Sequence, residues 1–92
     1  MYTLVATRHF LRSAKKFLGK HPDLRTRFKK TIDDLTGDPF QPHLNLHPLG
    51  GSLEGLFAVS LTHSYRITLT LKITEKEIVL LDIGSHDDVY RK

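Results

Sequence analysis

From Tyr65 to Ile73 apolar and polar residues alternate without a break. Tyr65, Ile67, Leu69, Leu71 and Ile73 fall on one side, and Arg66, Thr68, Thr70 and Lys72 on the other. Successive side chains of a strand point to opposite faces, so this run belongs to a sheet that is apolar on one face only. Two further β-prone runs, 55–61 and 77–84, flank it. Phe57, Val59 and Leu61 on the first, and Val79, Leu81 and Ile83 on the second, are expected to continue the apolar side. Short turns at THS (62–64) and TEK (74–76) join the three runs into an antiparallel meander. Such a sheet is stable only once its apolar face is covered.

The cover has to come from the first forty residues. After a short β-prone segment at 2–6 (YTLVA), Phe10, Leu11, Ala14, Phe17 and Leu18 recur at helix-face spacing. Thr7 is placed to cap that helix and Gly19 to end it. Pro22 suits the first turn of a second helix, whose apolar stripe is Leu24, Phe28, Ile32 and Leu35 and which Gly37 and Pro39 terminate. The expected architecture is β-α-α-β-β-β, an α+β fold with an antiparallel sheet and a helical hairpin packed on one face. With 92 residues the chain is read as one domain, 1–92.

Charge is distributed unevenly. Between residues 8 and 30 stand Arg8, Arg12, Lys15, Lys16, Lys20, Arg25, Arg27, Lys29 and Lys30 against Asp23 alone, whereas residues 47–92 are close to neutral. A basic face on a near-neutral body attracts polyanions by steering and counterion release. Arg12, Lys15, Lys16, Lys20, Arg25, Arg27, Lys29 and Lys30 are the candidate residues for binding a polyanion such as RNA, although Lys and Arg also serve simply to solvate helix surfaces. There is no cysteine, no apolar run approaches the roughly 18 residues of a membrane span, and MYTLVATRHF is too short and polar for a signal peptide. A cytoplasmic protein without membrane contact is expected.

Residues 38–54 hold three of the four prolines and read as a loop. Its GGS lacks the following GK[ST] of a phosphate-binding loop, and no GxSxG marks a serine hydrolase. Six histidines raise the question of a metal, but no HExxH or other close ligand pair exists, so neither metal nor cofactor is expected. Strand geometry gathers other chemistry. A turn centred on His63 sets Ser60 opposite Arg66, and a second turn near Glu75 sets Arg66 opposite a residue between 84 and 86. Arg66, His63, Ser60 and His86 would then meet at one end of the polar face. The planar guanidinium of an arginine can grip a phosphate bidentately, and imidazole titrates near neutral pH.

These residues resemble the toxins of the RelE/ParE superfamily, in particular the YafQ-like and YoeB-like ribonucleases. The shared features are Pro48-Leu49 with the glycine motif of 51–55, Tyr65-Arg66-Ile67, Gly84-Ser85-His86 and the final aromatic Tyr90. The resemblance runs over nearly the whole chain and implies the layout derived above. It also implies the toxin of a type II toxin-antitoxin pair, cleaving messenger RNA on the small ribosomal subunit by attack of a ribose 2′-hydroxyl, and a cognate antitoxin. On that resemblance His47 is general base, Arg66 holds the phosphate, His86 is general acid and Tyr90 stacks on a base or orients the phosphate. Base and acid could be exchanged, and His63 stands as a further candidate for either role. The superfamily also contains gyrase poisons, so a non-nucleolytic or inactive antitoxin-binding member is the alternative.

Overall fold

The computed structural model describes residues 1–90. Strand β1 (Thr3–Ala6) leads into α1 (Arg8–Lys20), and α2 (Arg25–Gly37) follows. The short β2 (His47–Pro48) precedes the meander β3 (Phe57–Ser60), β4 (Tyr65–Lys72) and β5 (Glu77–Ser85), and a final helix α3 covers His86–Tyr90. The five strands form one sheet in the order β1-β5-β4-β3-β2.

Thr7 caps α1 as its residue type requires. Its side-chain oxygen accepts from the Phe10 amide at 3.1 Å and its hydroxyl donates to the Leu80 carbonyl at 2.9 Å. The helix is thereby tied to β5 as well as started. Pro22 does not begin α2. It opens a single 3-10 turn, Pro22–Leu24, and α2 starts only at Arg25. Phe10, Ala14 and Phe17 of α1 and Leu35 of α2 meet Val59, Leu61, Ile67 and Leu69 of the meander in one core. Deleting most of one such buried leucine costs about 2–5 kcal/mol, a large share of a small domain's stability.

Three further expectations need correction. The sheet is mixed, because β1 pairs with β5 in parallel, Thr3 opposite Glu77 through Ala6 opposite Leu80. A β-bulge shifts the register between Thr68 and Leu69, so that Thr68 faces Asp82 but Leu69 faces Leu80. One extra residue, Leu81, reverses the phase of β5. Ile78, Leu80 and Ile83 enter the core, and Val79 and Leu81 are only half-buried. Lastly, 38–54 is not a bare loop. It holds two 3-10 turns, Pro42–Leu44 and Gly51–Leu53, and strand β2, with Pro39 and Leu44 fully buried. Gly51 and Gly55 take φ of 62° and 96°, which accounts for the glycines of that motif.

Candidate active site

Arg66 is the second residue of β4 and lies between Ser60 on β3 and Gly84 on β5. Directly opposed residues of antiparallel strands share a face. The row Ser60-Arg66-Gly84 therefore lies on the face away from α1 and α2, as does the neighbouring row His47-Ala58-Thr68-Asp82, whose last member reaches His9 Nε2 of α1 at 3.3 Å across the sheet edge. His47 thus stands on the same face as Arg66, two strands across and one row down. Standard strand spacings put their Cα atoms about 12 Å apart, close enough for two long side chains to bracket a phosphate.

This face is not open over its whole extent, because α3 lies on it against β4 and β5. The turn into α3 is a reciprocal cap. The Ser85 amide donates to Asp88 Oδ2 and the Asp88 amide donates to Ser85 Oγ, each at 3.2 Å. Gly84 lets the helix descend. A Cβ there would stand 2.8 Å from Asp88 Cβ. Over Gly84, α3 projects His86 and Tyr90 from successive turns, with ring centroids 4.2 Å apart and planes at 87°.

Tyr90 closes this arrangement. Its hydroxyl is buried and finds no hydrogen-bond partner among the described residues. Burial pushes the phenol above its ordinary range, and the positive charge of Arg66 pulls it partly back. Tyr90 is thus a protonated donor without an acceptor among the described residues, within the field of the Arg66 guanidinium. An anion between the two would satisfy the hydroxyl and the charge together. His86 is exposed, with its Nδ1 3.8 Å from Asp87 Oδ1, too long for a hydrogen bond. At His47, Nδ1 lies 2.8 Å from the Asn45 carbonyl oxygen. A carbonyl only accepts, so Nδ1 carries the proton, and neutral His47 keeps Nε2 as its basic nitrogen.

Arg66, Tyr90 and His86 are accordingly brought together, and His47 joins their face at a distance. His63 is exposed at the tip of the β3–β4 turn, beyond the row that holds Arg66. The turn itself is fixed by Thr62, whose hydroxyl oxygen accepts from the Ser64 and Tyr65 amides. All eight candidate RNA-binding residues are exposed. Arg12, Lys15, Arg25 and Lys29 point from the helices into solvent. Lys16 and Lys20 border a groove along β5, while Arg27 and Lys30 border a second cleft beyond the end of β3. In that cleft His43 Nε2 lies 2.8 Å from Asp34 Oδ2, and Lys30 lies 3.5 Å from the same oxygen. Cations thus flank the Arg66 end of the sheet on both sides. No group of three or more His, Cys, Asp or Glu side chains among the described residues could hold a metal ion.

Gly84, Ser85 and Asp88 position the site but were not singled out as such from sequence. The Ser-x-x-Asp spacing of 85–88 is the signal that could have found the helix.

A mixed five-stranded sheet with a helical hairpin on one face, in this order, is the fold of the RelE/ParE toxins. Over 98% of its length the chain is similar to YafQ from E. coli strain BL21(DE3), with a TM-score of 0.81 at 16% identity and 99% of that chain covered. It is also similar to a metal-bound toxin from Helicobacter pylori, with a TM-score of 0.79 at 24% identity over 97% of this chain and 99% of that one. The E. coli DinJ-YafQ toxin-antitoxin complex gives a TM-score of 0.78 at 18% identity over 97% of each chain. No protein-family model and no curated sequence matches. The likeness is one of fold.

Proposed function

We propose that the chain is the toxin of a type II toxin-antitoxin pair and cleaves messenger RNA on the ribosome without a metal. The observation that carries this reading is the buried Tyr90 hydroxyl, without a partner among the described residues, in the field of Arg66 and on a ring packed edge-on against His86. A phosphodiester gripped by Arg66 supplies the missing acceptor once the short helix α3 shifts enough to uncover the Tyr90 hydroxyl. His47 Nε2 takes the proton of the ribose 2′-hydroxyl as that oxygen attacks the adjacent phosphorus. Arg66 and Tyr90 hold the charge that builds on the non-bridging oxygens. His86 gives a proton to the departing 5′-oxygen, leaving a 2′,3′-cyclic phosphate. Two imidazoles in different settings suit the two roles, since one has its tautomer fixed by a carbonyl and the other is solvated.

The basic residues on either side of the Arg66 row would hold ribosomal and messenger RNA by their phosphates. A cognate antitoxin that carries acidic side chains would complement the same basic surface. DinJ-YafQ is a toxin-antitoxin complex that contains a protein of this fold.

The test is expression of the chain in growing cells beside Arg66→Ala and His86→Ala, with primer extension on a reporter message. The expected result is growth arrest and discrete cuts for the native chain and loss of both for the variants, with thermal unfolding unchanged within a few degrees. Arrest that persists in both variants without message cuts would instead indicate a binding poison such as a gyrase inhibitor.

A further inference from the structure

Strand β1 stops opposite Leu80, so among the described residues the last part of β5 has no strand on its outer side. An open groove of about 540 Å³ follows that edge, with α1 as one wall and the start of α3 as the other. Its ring cluster is unusual for a surface. Phe17, His21 and Tyr65 stand with centroids 4.6 to 4.9 Å apart, and His21 and Tyr65 are only half-buried. Lys16 and Lys20 rise on the α1 side and Asp88 on the α3 side. The groove opens next to the proposed active site. Tyr65 precedes Arg66 in β4, and Ser85, opposite Tyr65, follows Gly84.

The edge itself is closed to an incoming peptide strand. The outward amides of Ile83 and Ser85 donate to the carboxylates of Asp82 and Asp88, at 2.9 and 3.2 Å. A partner strand would therefore find those ladder donors taken. What remains on offer is a ring surface, two ammonium groups and the Asp88 carboxylate, beside the His9 imidazole whose Nε2 lies 3.3 Å from Asp82 Oδ1. A base stacks on exposed rings, its phosphate attracts lysines, and a carboxylate accepts hydrogen bonds from an exocyclic amino group.

We propose that this groove seats one nucleotide of the RNA strand, with its base against His21 and Tyr65 and its phosphate between Lys16 and Lys20. The proposal rests on the RNA-cleaving reading and extends it. The strand passes over the end of β5, with the scissile phosphate at Arg66 on one face and a neighbouring nucleotide held in the groove on the other. Asp88 at the rim favours bases that carry an amino group over uracil.

The full chain carrying His86→Ala provides an uncut binding background for a 5′-fluorescein RNA hexamer, read by anisotropy. Lys16→Ala and Lys20→Ala are each expected to lower the slope of log affinity against log salt by about 0.7, the value for one single-strand phosphate contact, whereas Lys72→Ala leaves it unchanged. Hexamers with an abasic site at each position in turn should show one position where affinity drops about five- to hundredfold. His21→Ala should bring the intact hexamer down to that level and cost the abasic one nothing more, and His21→Phe should restore binding. Thermal unfolding of each variant confirms the fold. Losses from His21→Ala and the abasic site that simply multiply, or lysine variants that behave as Lys72→Ala, would overturn the proposal. So would lysine variants that weaken only capture of an acidic antitoxin peptide while leaving RNA binding intact. Cleavage by the native chain is scored separately. Groove-dependent binding without any cutting supports the groove and removes the nuclease reading, and cutting with an unaltered KM in the groove variants does the reverse.

Discussion

Replacing Tyr90 with phenylalanine separates stability from activity in opposite directions. The phenol oxygen is buried and partnerless among the described residues, while the ring packs edge-on against His86. An unsatisfied buried polar group costs roughly 1–3 kcal/mol, and because this ring is only half-buried the lower end applies. Tyr90→Phe keeps the ring contact and removes that cost, so stability should rise by about 1 kcal/mol. In a chain of this length that corresponds to a rise of roughly 4–8 °C in Tm. The same oxygen is proposed to donate to the RNA phosphate. A hydrogen bond to a charged group contributes about 1.5–3 kcal/mol, so kcat/KM should fall about ten- to hundredfold. The alkaline limb supplies an independent reading. Burial raises the folded-state pKa of Tyr90 above its unfolded value, so its contribution is present below the unfolded pKa of about 10 and is lost as pH climbs through the folded one. Tyr90→Phe should therefore flatten the loss of stability above that pH. Differential scanning calorimetry from neutral to alkaline pH, beside cleavage of a labelled RNA, measures all three. A Tm that drops by several degrees would mean that the hydroxyl has a partner and that the reasoning fails.

Two further outcomes follow from packing and charge. Gly84→Ala puts a methyl group 2.8 Å from Asp88 Cβ, which must move α3 off the sheet. Overpacking of this kind costs about 1–3 kcal/mol, but a five-residue terminal helix can lift without opening the main core. Gly84→Ala should thus reduce cleavage at least about tenfold while Tm falls only a few degrees; unaltered cleavage would show that α3 does not position the site. Asp34 is held below the usual carboxylate range, first by its hydrogen bond to His43 and then by Lys30. The depressed value means a stability contribution present above about pH 4 and lost as pH falls through the folded pKa. Removing the partner with His43→Ala should make acid unfolding less steep between about pH 4 and pH 2, and an identical acid limb in calorimetry would exclude the pair from it.

The parts of the fold that repeat over many residues were legible in the sequence. Strict alternation in β4 and two apolar stripes at helical spacing fixed the layers, and the turn at 62–64 set Ser60 opposite Arg66. What escaped depends on single residues or very short elements. The bulge at Leu81 sits in the run Ile78–Ile83, where almost every position is apolar, so nothing in the pattern shows where the phase slips. Parallel pairing of β1 with β5 joins segments more than seventy residues apart, and a four-residue strand carries no mark of direction. Helix α3 is too short for a periodicity to register, although its capping spacing and the glycine beneath it are visible. The groove along β5 arises because one strand is shorter than its neighbour, a property of the assembled sheet.

The central claim is that a ribose 2′-hydroxyl attacks a phosphate gripped by Arg66. Its most direct test is the purified chain acting on a programmed ribosome whose message carries a single 2′-deoxy nucleotide on the 5′ side of a mapped cut. The expected result is complete loss of that cut, with normal cutting elsewhere and products that end in 2′,3′-cyclic phosphate and 5′-hydroxyl. Continued cutting at the deoxy position would contradict the account.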